Sequence, residues 1–362
     1  KMLDRRSAAL DGDDASVDWG HAELLAVASL LADGTPVRLT GQDTVRGTFS
    51  QRHAALWDAV TGERHVPLQH LPASRASFEV HNSPLSEYAA LGFEYGYAVT
   101  ARDALVLWEA QYGDFVNGAE IIIDQFIIAG LAKWRQTSRL TLLLPHGYEG
   151  SGPEHSSARL ERFLALGAEG NIRVVYPTTP AQHFHLLRRQ AHHHDARPLV
   201  VMTPKSLLRL PAAASRPAEL SQGSFRPVLD DARFADPKAA AKVRRVLLCS
   251  GKIYYDLIGS EHFEAATDIA IVRVERLYPF PVDELQAVLD RYPKIESYAW
   301  VQEEPRNMGA RKFVLPRIRH LVPYKIPLGD ISRPERSRPA EGYPAAHAVE
   351  QARIVREALT EH

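Results

Sequence analysis

Short apolar runs alternate with longer amphipathic stretches along almost the whole chain, and this alternation constrains the fold more than any other feature. Runs suited to strands lie at 37–40, 104–108, 140–144, 172–176 and 198–202. Helical patterns lie at 19–33, 85–99, 118–133, 157–166 and 181–191. The first helical pattern spaces Leu24, Leu25, Val27, Ala28, Leu30 and Leu31 along one stripe. Strands joined by helix-length crossovers can run parallel, whereas hairpin-length links force antiparallel pairing. The pattern therefore predicts a mainly parallel sheet covered on both faces. A Pro-, Ala- and Ser-rich stretch at 210–226 reads as a linker. A second alternating set follows, with strands at 245–249, 268–272 and 298–301 and helices at 239–243, 282–291 and 350–359. The expected fold class is α/β, with two tandem domains of mainly parallel sheet. The expected boundaries are a tail at 1–18, a first domain at 19–212, a linker at 213–227 and a second domain at 228–362.

Composition narrows the classes of function. The chain has 362 residues and a formal net charge of -1, which argues against general nucleic-acid binding. Its single cysteine, Cys249, excludes an internal disulfide framework. No apolar run is read as a membrane span, since 120–131 is short and broken by Asp124 and Gln125. No signal-peptide pattern opens the chain, and its start at Lys1 rather than methionine suggests a fragment.

Four segments concentrate side chains that can do chemistry. The densest is the turn 143–159, Leu-Leu-Pro-His-Gly-Tyr-Glu-Gly-Ser-Gly-Pro-Glu-His-Ser-Ser-Ala-Arg. A plain connection has no use for two histidines, two glutamates and an arginine, so the turn reads as functional. His146 and His155 titrate near neutral pH and suit anion binding or proton transfer. Gly150 and Gly152 lack the third glycine of a dinucleotide fingerprint. A second segment, 41–53, follows the first strand, and its Arg46, Arg52 and His53 either hold an anion or decorate a structured turn. In the third, Ser83 and Pro84 suit a helix start, which sets Glu87 in the first turn among Leu85, Tyr88 and Leu91. Its carboxylate is either exposed and favourable to the helix dipole or enclosed and functional. The fourth, 108–118, sets Gln111, Tyr112 and Phe115 at a strand end, where they either cradle a flat heterocycle or pack a core. The histidines 192–194 look like a metal tract but read better as a solvated turn, and Glu303-Glu304 could form an acid pair but read better as a loop after the last strand of the second domain.

Taken together, these segments resemble the thiamin-diphosphate-dependent dehydrogenase (decarboxylating) components of 2-oxoglutarate dehydrogenase complexes. The marks are Arg-Gly-Thr-Phe at 46–49 with Arg52-His53, Ser86-Glu87 with Gly-Phe-Glu-Tyr-Gly at 92–96, and Glu-Ala-Gln-Tyr-Gly-Asp-Phe at 109–115. Further marks are His-Gly-Tyr-Glu-Gly at 146–150 with Glu-His-Ser-Ser-Ala-Arg at 154–159, Ser-Gly-Lys at 250–252, and Glu-Glu-Pro-Arg-Asn-Met-Gly at 303–309. Each is modest alone; their order and spacing are specific. The resemblance covers the later part of such an enzyme. It implies a transketolase-like pyrimidine-binding domain followed by a transketolase C-terminal-like domain, together supplying half of a cofactor site in a homodimer.

By matching positions, the resemblance implies that Glu87 hydrogen-bonds the aminopyrimidine ring of thiamin diphosphate and favours its imino form. It implies that Tyr112, or else Phe115, stacks on that ring, with Gln111 close to the cofactor. His155 matches an active-site histidine that contacts substrate; His146 and Arg159 are further choices, as a catalytic and a substrate-binding residue. Magnesium ligands are expected in a diphosphate-binding domain outside this sequence, so no metal ligand is expected here. The implied reaction is oxidative decarboxylation of 2-oxoglutarate with succinyl transfer to the lipoyl group of dihydrolipoyl succinyltransferase. The implied location is the bacterial cytoplasm, or the mitochondrial matrix of a eukaryote. Arg311 and Arg338 depart from the residues usual in the family. Two other readings stay open: a 2-oxoglutarate decarboxylase that joins its intermediate to an aldehyde, and a non-catalytic dimerisation and docking fragment.

Overall fold

The computed structural model describes residues 2–12 and 15–360. In chain order the elements begin with α1 (Met2–Ala8), α2 (Trp19–Ala32), β1 (Val37–Gly41), the small hairpin β2 (Leu56–Trp57) and β3 (Arg64–His65), then β4 (Phe78–Asn82), α3 (Glu87–Thr100) and β5 (Leu105–Glu109). A mixed helical stretch follows: a 3-10 turn Gly113–Ala119, α4 (Glu120–Ile122), a π turn Ile123–Ile127 and α5 (Gly130–Trp134). Next come β6 (Thr141–Pro145), α6 (Leu160–Leu166), β7 (Arg173–Val175), α7 (Pro180–His192), β8 (Leu199–Thr203), α8 (Pro217–Ser221), β9 (Val228–Leu229) and α9 (Pro237–Ala240). The chain ends with β10 (Arg245–Cys249), α10 (Ile253–Ile258), β11 (Ile269–Val274), β12 (Arg276–Tyr278), α11 (Val282–Leu289), β13 (Ser297–Pro305), α12 (Arg311–Leu321), β14 (Leu328–Arg333) and α13 (Pro344–Thr360).

Two compact units divide these elements. The first comprises Lys1–Pro145, Ala168–Ile172 and Thr179–Phe225; the second comprises His146–Gly167, Arg173–Thr178 and Arg226–His362. In the first unit five strands pair in the order β8-β6-β5-β1-β4, all parallel. Every residue of β5, β6 and β8 is buried, which is why these strands read as unbroken apolar runs rather than as alternation. Local chemistry starts the helices. Asp18 accepts the His21 N–H at 2.9 Å before α2, Ser86 accepts the Ala89 N–H at 3.3 Å before α3, and Thr179 accepts the Gln182 N–H at 3.1 Å before α7.

The second unit holds a sheet in the order β14-β13-β10-β11-β9, parallel except where β9 meets β11. The antiparallel pair β7 and β12 also falls in the second unit but is not part of this sheet. Its core gathers Leu247, Cys249 and Val301 from the sheet with Ile354 and Ala358 from α13. Cys249 is fully buried, and burial pushes its thiol up to about 12, with Arg273 opposing and Glu275 adding to the shift.

Several expectations change. The N-terminal stretch is not a bare tail: α1 occupies Met2–Ala8, and Arg6 donates from Nη2 to the carbonyls of Gln51 and Arg52 at 3.1 and 2.8 Å. Lys1, Asp13 and Asp14 of that stretch lie outside the described residues. The stretch read as a linker carries α8, and Ser215 bridges to Val17 through backbone bonds of 2.8 and 3.1 Å. Leu220 there is buried against Val17, Ala22 and Ala181. Strand β4 was not expected, because it lies at a sheet edge and needs only one apolar face, supplied by Phe78 and Val80. The helix expected at 118–133 is broken into short α and π turns and ends at Arg135 in the left-handed region, φ 57°. Taken as one helical stretch, Gly113–Trp134 is long and apolar enough to cross a membrane by length and composition, contrary to the sequence reading.

Candidate functional site

Strand β1 is flanked by β4 on one side and β5 on the other, so successive crossovers leave it in opposite directions. Such a switch point opens a crevice at the carboxyl ends of the strands, where open α/β sheets bind ligands. Three segments leave from this edge: 42–53 after β1, 83–87 after β4 and 110–115 after β5. Close backbone approach builds the edge. Gly41 has φ 153°, and a Cβ there would lie 2.2 Å from the Glu109 carbonyl oxygen.

Glu87 is the first residue of α3 and is half-buried. Gln42 Nε2 donates to its Oε1 at 2.7 Å, linking the segment after β1 to the helix after β4. Gly118 lies against the other oxygen: a Cβ there would sit 3.4 Å from Glu87 Oε2. Tyr112 and Phe115 are close in sequence, and Phe49 joins them only in space. Tyr112 meets Phe49 edge-on at 5.9 Å and Phe115 at 5.6 Å between ring centroids. Tyr112, Phe115 and Gln111 are all half-buried.

Beneath this edge lies a buried ionic network. The Arg52 side chain is 1% exposed. Its Nη1 and Nη2 donate to Glu109 Oε2 and Oε1, both at 2.7 Å, and its Nε donates to Glu23 Oε1 at 2.5 Å. Nη1 also donates to the Thr44 carbonyl at 2.7 Å, and Thr44 Oγ1 donates to Glu109 Oε2 at 2.7 Å. His183 closes the network at 3.3 Å from Glu23 Oε2, with its ring stacked on Trp19. Burial alone would raise the Glu23 carboxyl, but Arg52 and His183 outweigh it and hold it at about 2. The same carboxylates hold Arg52 above its ordinary range against the opposing effect of burial. Arg52 therefore pins the segment after β1 to the end of β5; its guanidinium is buried against two carboxylates rather than presented to an external anion. Arg46 pairs with Asp43 in the same turn.

His146, His155 and Arg159 fall in the second unit. His146 is 1% exposed. Its Nδ1 accepts the Ala158 N–H at 3.0 Å, so Nε2 carries the proton that meets Glu304 Oε1 at 2.8 Å. With the ring enclosed and both nitrogens engaged, His146 anchors its loop. The Tyr148 N–H donates to Glu303 Oε1 at 2.7 Å, and the Gly147 N–H to the Ser156 carbonyl at 2.9 Å. His155 behaves differently. It ends a 3-10 turn Pro153–His155, its side chain is 39% exposed, and its Nε2 lies 3.7 Å from the Glu154 carboxylate. Arg159 takes the left-handed region, φ 55°, immediately before α6, and its N–H donates to Ser157 Oγ at 3.0 Å.

A family model described as transketolase, pyrimidine binding domain, matches residues 15–211. That span covers more than half of the sequence and includes Gln42, Glu87, Gln111, Tyr112 and Phe115. The chain belongs to the transketolase pyrimidine-binding domain family. A second model, 2-oxoglutarate dehydrogenase C-terminal, matches residues 214–359. The chain is 53% identical over 366 residues to the 2-oxoglutarate dehydrogenase E1 component of Shouchella clausii (strain KSM-K16), and 52% identical over 364 residues to that of Geobacillus sp. (strain WCH70). It is 51% identical over 367 residues to that of Bacillus subtilis (strain 168). In each case the alignment covers 99% of this chain and 38% of the relative, so the chain spans under two-fifths of the length of these curated relatives and corresponds to their C-terminal part.

Within this pyrimidine-domain family member, sequence reasoning missed Gln42, Thr44, Glu23 and Gly118, whose roles depend on partners 29 to 65 residues away in Arg52, Glu87 and Glu109. It also misplaced Glu303 and Glu304. Both lie inside β13, at 2% and 4% exposure, rather than in a loop. Two adjacent carboxylates do not read as buried strand, because charged residues are seldom enclosed unless partnered. Here Lys252 Nζ lies 2.8 Å from Glu303 Oε2. Burial pushes the Glu303 carboxyl up, yet Lys252 and the Tyr148 N–H hold it below the usual carboxylate range. On the turn after α7, His193, His194 and Asp195 each bring one ligand atom within 4.8 Å of the others, and two of the three are exposed.

Proposed function

We propose that this chain supplies the pyrimidine half of a thiamin diphosphate site in an enzyme that oxidatively decarboxylates 2-oxoglutarate and transfers the succinyl group to the lipoyl group of a dihydrolipoyl succinyltransferase. The carrying observation is 51–53% identity to 2-oxoglutarate dehydrogenase E1 components over 99% of the chain. The chemistry of the donor set fits the pyrimidine end of the cofactor. A half-buried carboxylate, Glu87, is steadied by one amide donor, Gln42, in the unit that also carries the Tyr112, Phe49 and Phe115 cluster.

When bound, thiamin diphosphate supplies the carbon nucleophile and the electron sink that decarboxylation of a 2-oxo acid needs. Glu87 would share a proton with a ring nitrogen of the pyrimidine, and the Gln42 bond to Oε1 leaves Oε2 for that partner. Tyr112, or else Phe115, would stack on the ring, and Gln111 would lie close to it. His155, with its accessible imidazole, would contact the substrate, and Arg159 would supply positive charge to a dicarboxylate. Magnesium would be held by residues of a diphosphate-binding domain outside this sequence. The enzyme would act in the cytoplasm, since the matched relatives are bacterial.

A homodimer belongs to this reading. Leu85, Tyr88 and Phe93 at the start and along α3, with Ile121, Phe126 and Trp134, are large apolar side chains left exposed on the first unit. A groove of about 560 Å³ on the same unit is lined by Tyr95, Ile122, Phe126 and Trp134. A second copy covering this face removes from water the patch that a solitary subunit would expose.

The deciding experiment adds thiamin diphosphate, magnesium, 2-oxoglutarate and a lipoyl domain to the full-length protein and follows carbon dioxide release and succinyl transfer. Release without transfer, together with 2-hydroxy-3-oxoadipate formation from glyoxylate, would favour the carboligase alternative. Absence of both activities in a cofactor-loaded dimer would favour a docking role. Near-normal turnover in Glu87→Gln would refute the role given to Glu87.

A further inference from the structure

We infer that Glu304 is a positioning residue for His155, acting through the buried ring of His146; the inference rests on the reading of His155 as the substrate-contacting residue. Residues 146 and 158 bracket His155, and one imidazole joins them. Its Nδ1 holds the Ala158 N–H at 3.0 Å, and its Nε2 is held by Glu304 Oε1 at 2.8 Å. A second tie closes the same loop, from the Gly147 N–H to the Ser156 carbonyl at 2.9 Å. The imidazole is thus a strut across the neck of the loop, and Glu304 sets both its tautomer and its rotation, as carboxylates do for other functional histidines.

The strand is shaped for this task. Successive residues of a regular strand point to opposite faces, so Glu303 and Glu304 should not serve one loop. The pairing of β13 with β14 shifts register between Val301 and Pro305, and such an irregularity re-aims side chains. Glu303 Oε1 reaches the Tyr148 N–H at 2.7 Å, two residues along from the group that Glu304 holds. Just past the loop, in the first turn of α6, Glu161 Oε2 accepts the Gly309 N–H at 2.9 Å. Three carboxylates therefore immobilise the 146–161 segment. Of the loop's two histidines, only His155 keeps an accessible ring.

None of these groups needs to touch substrate, yet misplacing a reacting side chain by an ångström slows turnover by up to about a hundredfold. The test compares Glu304→Ala and Glu304→Gln in the full-length enzyme, reading kcat and KM for 2-oxoglutarate, thiamin diphosphate affinity, and hydrogen exchange at the Gly147 and Ala158 amides. In Glu304→Ala, kcat should fall by about tenfold to a hundredfold and both amides should exchange at least about tenfold faster, with cofactor affinity within about twofold of the parent. Glu304→Gln keeps an oxygen acceptor for Nε2–H and should recover most of both readouts. Parental kcat and exchange in a folded Glu304→Ala enzyme, or equal loss in both variants, overturns the inference.

Should Glu304→Ala fail to fold, His146→Asn carries the test. Its amide oxygen takes the Nδ1 place at Ala158 while the link to Glu304 is cut, so the same fall in kcat is expected with Ala158 exchange held near the parent, and parental kcat overturns the proposal. Failure of the underlying reading shows separately. Unchanged turnover in His155→Ala overturns that reading and this inference together, whereas loss in His155→Ala with parental Glu304→Ala overturns this inference alone.

Discussion

Arg52 and Glu109 form a two-bond fork, Nη1 to Oε2 and Nη2 to Oε1, each at 2.7 Å, with the arginine side chain 1% exposed. The fork ties the segment after β1 to the end of β5 across the switch point of the parallel sheet. Removing one partner strands a buried charge, which costs far more than the intact pair contributes.

Glu109→Ala is therefore expected to destabilise the first unit by about 3–5 kcal/mol, and Arg52→Met by a similar amount. Urea unfolding of the full-length protein with a probe in that unit, such as Trp108 fluorescence, checks this. A loss below about 1 kcal/mol in both variants would show the pair to be dispensable.

The network also predicts an acid response. Glu23 sits at about 2 in the folded chain against an ordinary 4.5. A carboxyl depressed on folding adds stability that is present above its unfolded value and is lost as pH falls toward its folded value. The Glu23 contribution should thus be full above about 4.5 and fade between about 4.5 and about 2. Denaturant melts at stepped pH should show the parent losing its advantage over Glu23→Gln through that window. A gap between the two proteins that stays constant with pH counts against the assignment.

Gly41 should tolerate no side chain. A Cβ there would lie 2.2 Å from the Glu109 carbonyl oxygen, a backbone atom that cannot swing aside. Gly41→Ala is expected to cost about 2 kcal/mol or more, from overpacking and backbone strain together. Gly34→Ala is the comparison: it also has positive φ, at 91°, but meets nothing within 4 Å. Equal losses in the two would leave the close approach at Gly41 without consequence.

Gln42 steadies Glu87 by a single 2.7 Å bond. Gln42→Leu removes a donor to a carboxylate, and turnover of the full-length enzyme should fall by about tenfold while its unfolding midpoint barely moves. Parental kcat in that variant would mean that Glu87 needs no such support.

Charge on the exposed face of α3 should split the proposed dimer. Phe93 is 62% exposed, so Phe93→Asp leaves the isolated subunit folded while placing a carboxylate in the apolar contact. Sedimentation of the parent as a dimer and of the variant as a weaker dimer or monomer is expected. Identical association in both would exclude this face as the subunit contact.

The sequence by itself determined the elements whose information is local. Unbroken apolar runs such as 140–144 and 198–202 became buried strands β6 and β8 to within a residue, whereas the helix start expected at Ser83 and Pro84 lies three residues later, where Ser86 caps α3. It also marked Glu87 and the loop 146–159 as unusual, because titratable groups at strand ends and helix starts stand out against ordinary turns. Only the tertiary structure decided what those groups touch. His146 and His155 are alike on the page; one is enclosed by Glu304 from 158 residues away, and the other keeps an accessible ring. Arg52 resembled an anion ligand until Glu23 and Glu109 took its donors. Glu303 and Glu304 resembled a surface loop until Lys252 and His146 allowed their burial. Periodicity and capping act within a few residues and leave a pattern in the chain. A buried charge is tolerated only by its partner, and that partner is brought to it by the fold.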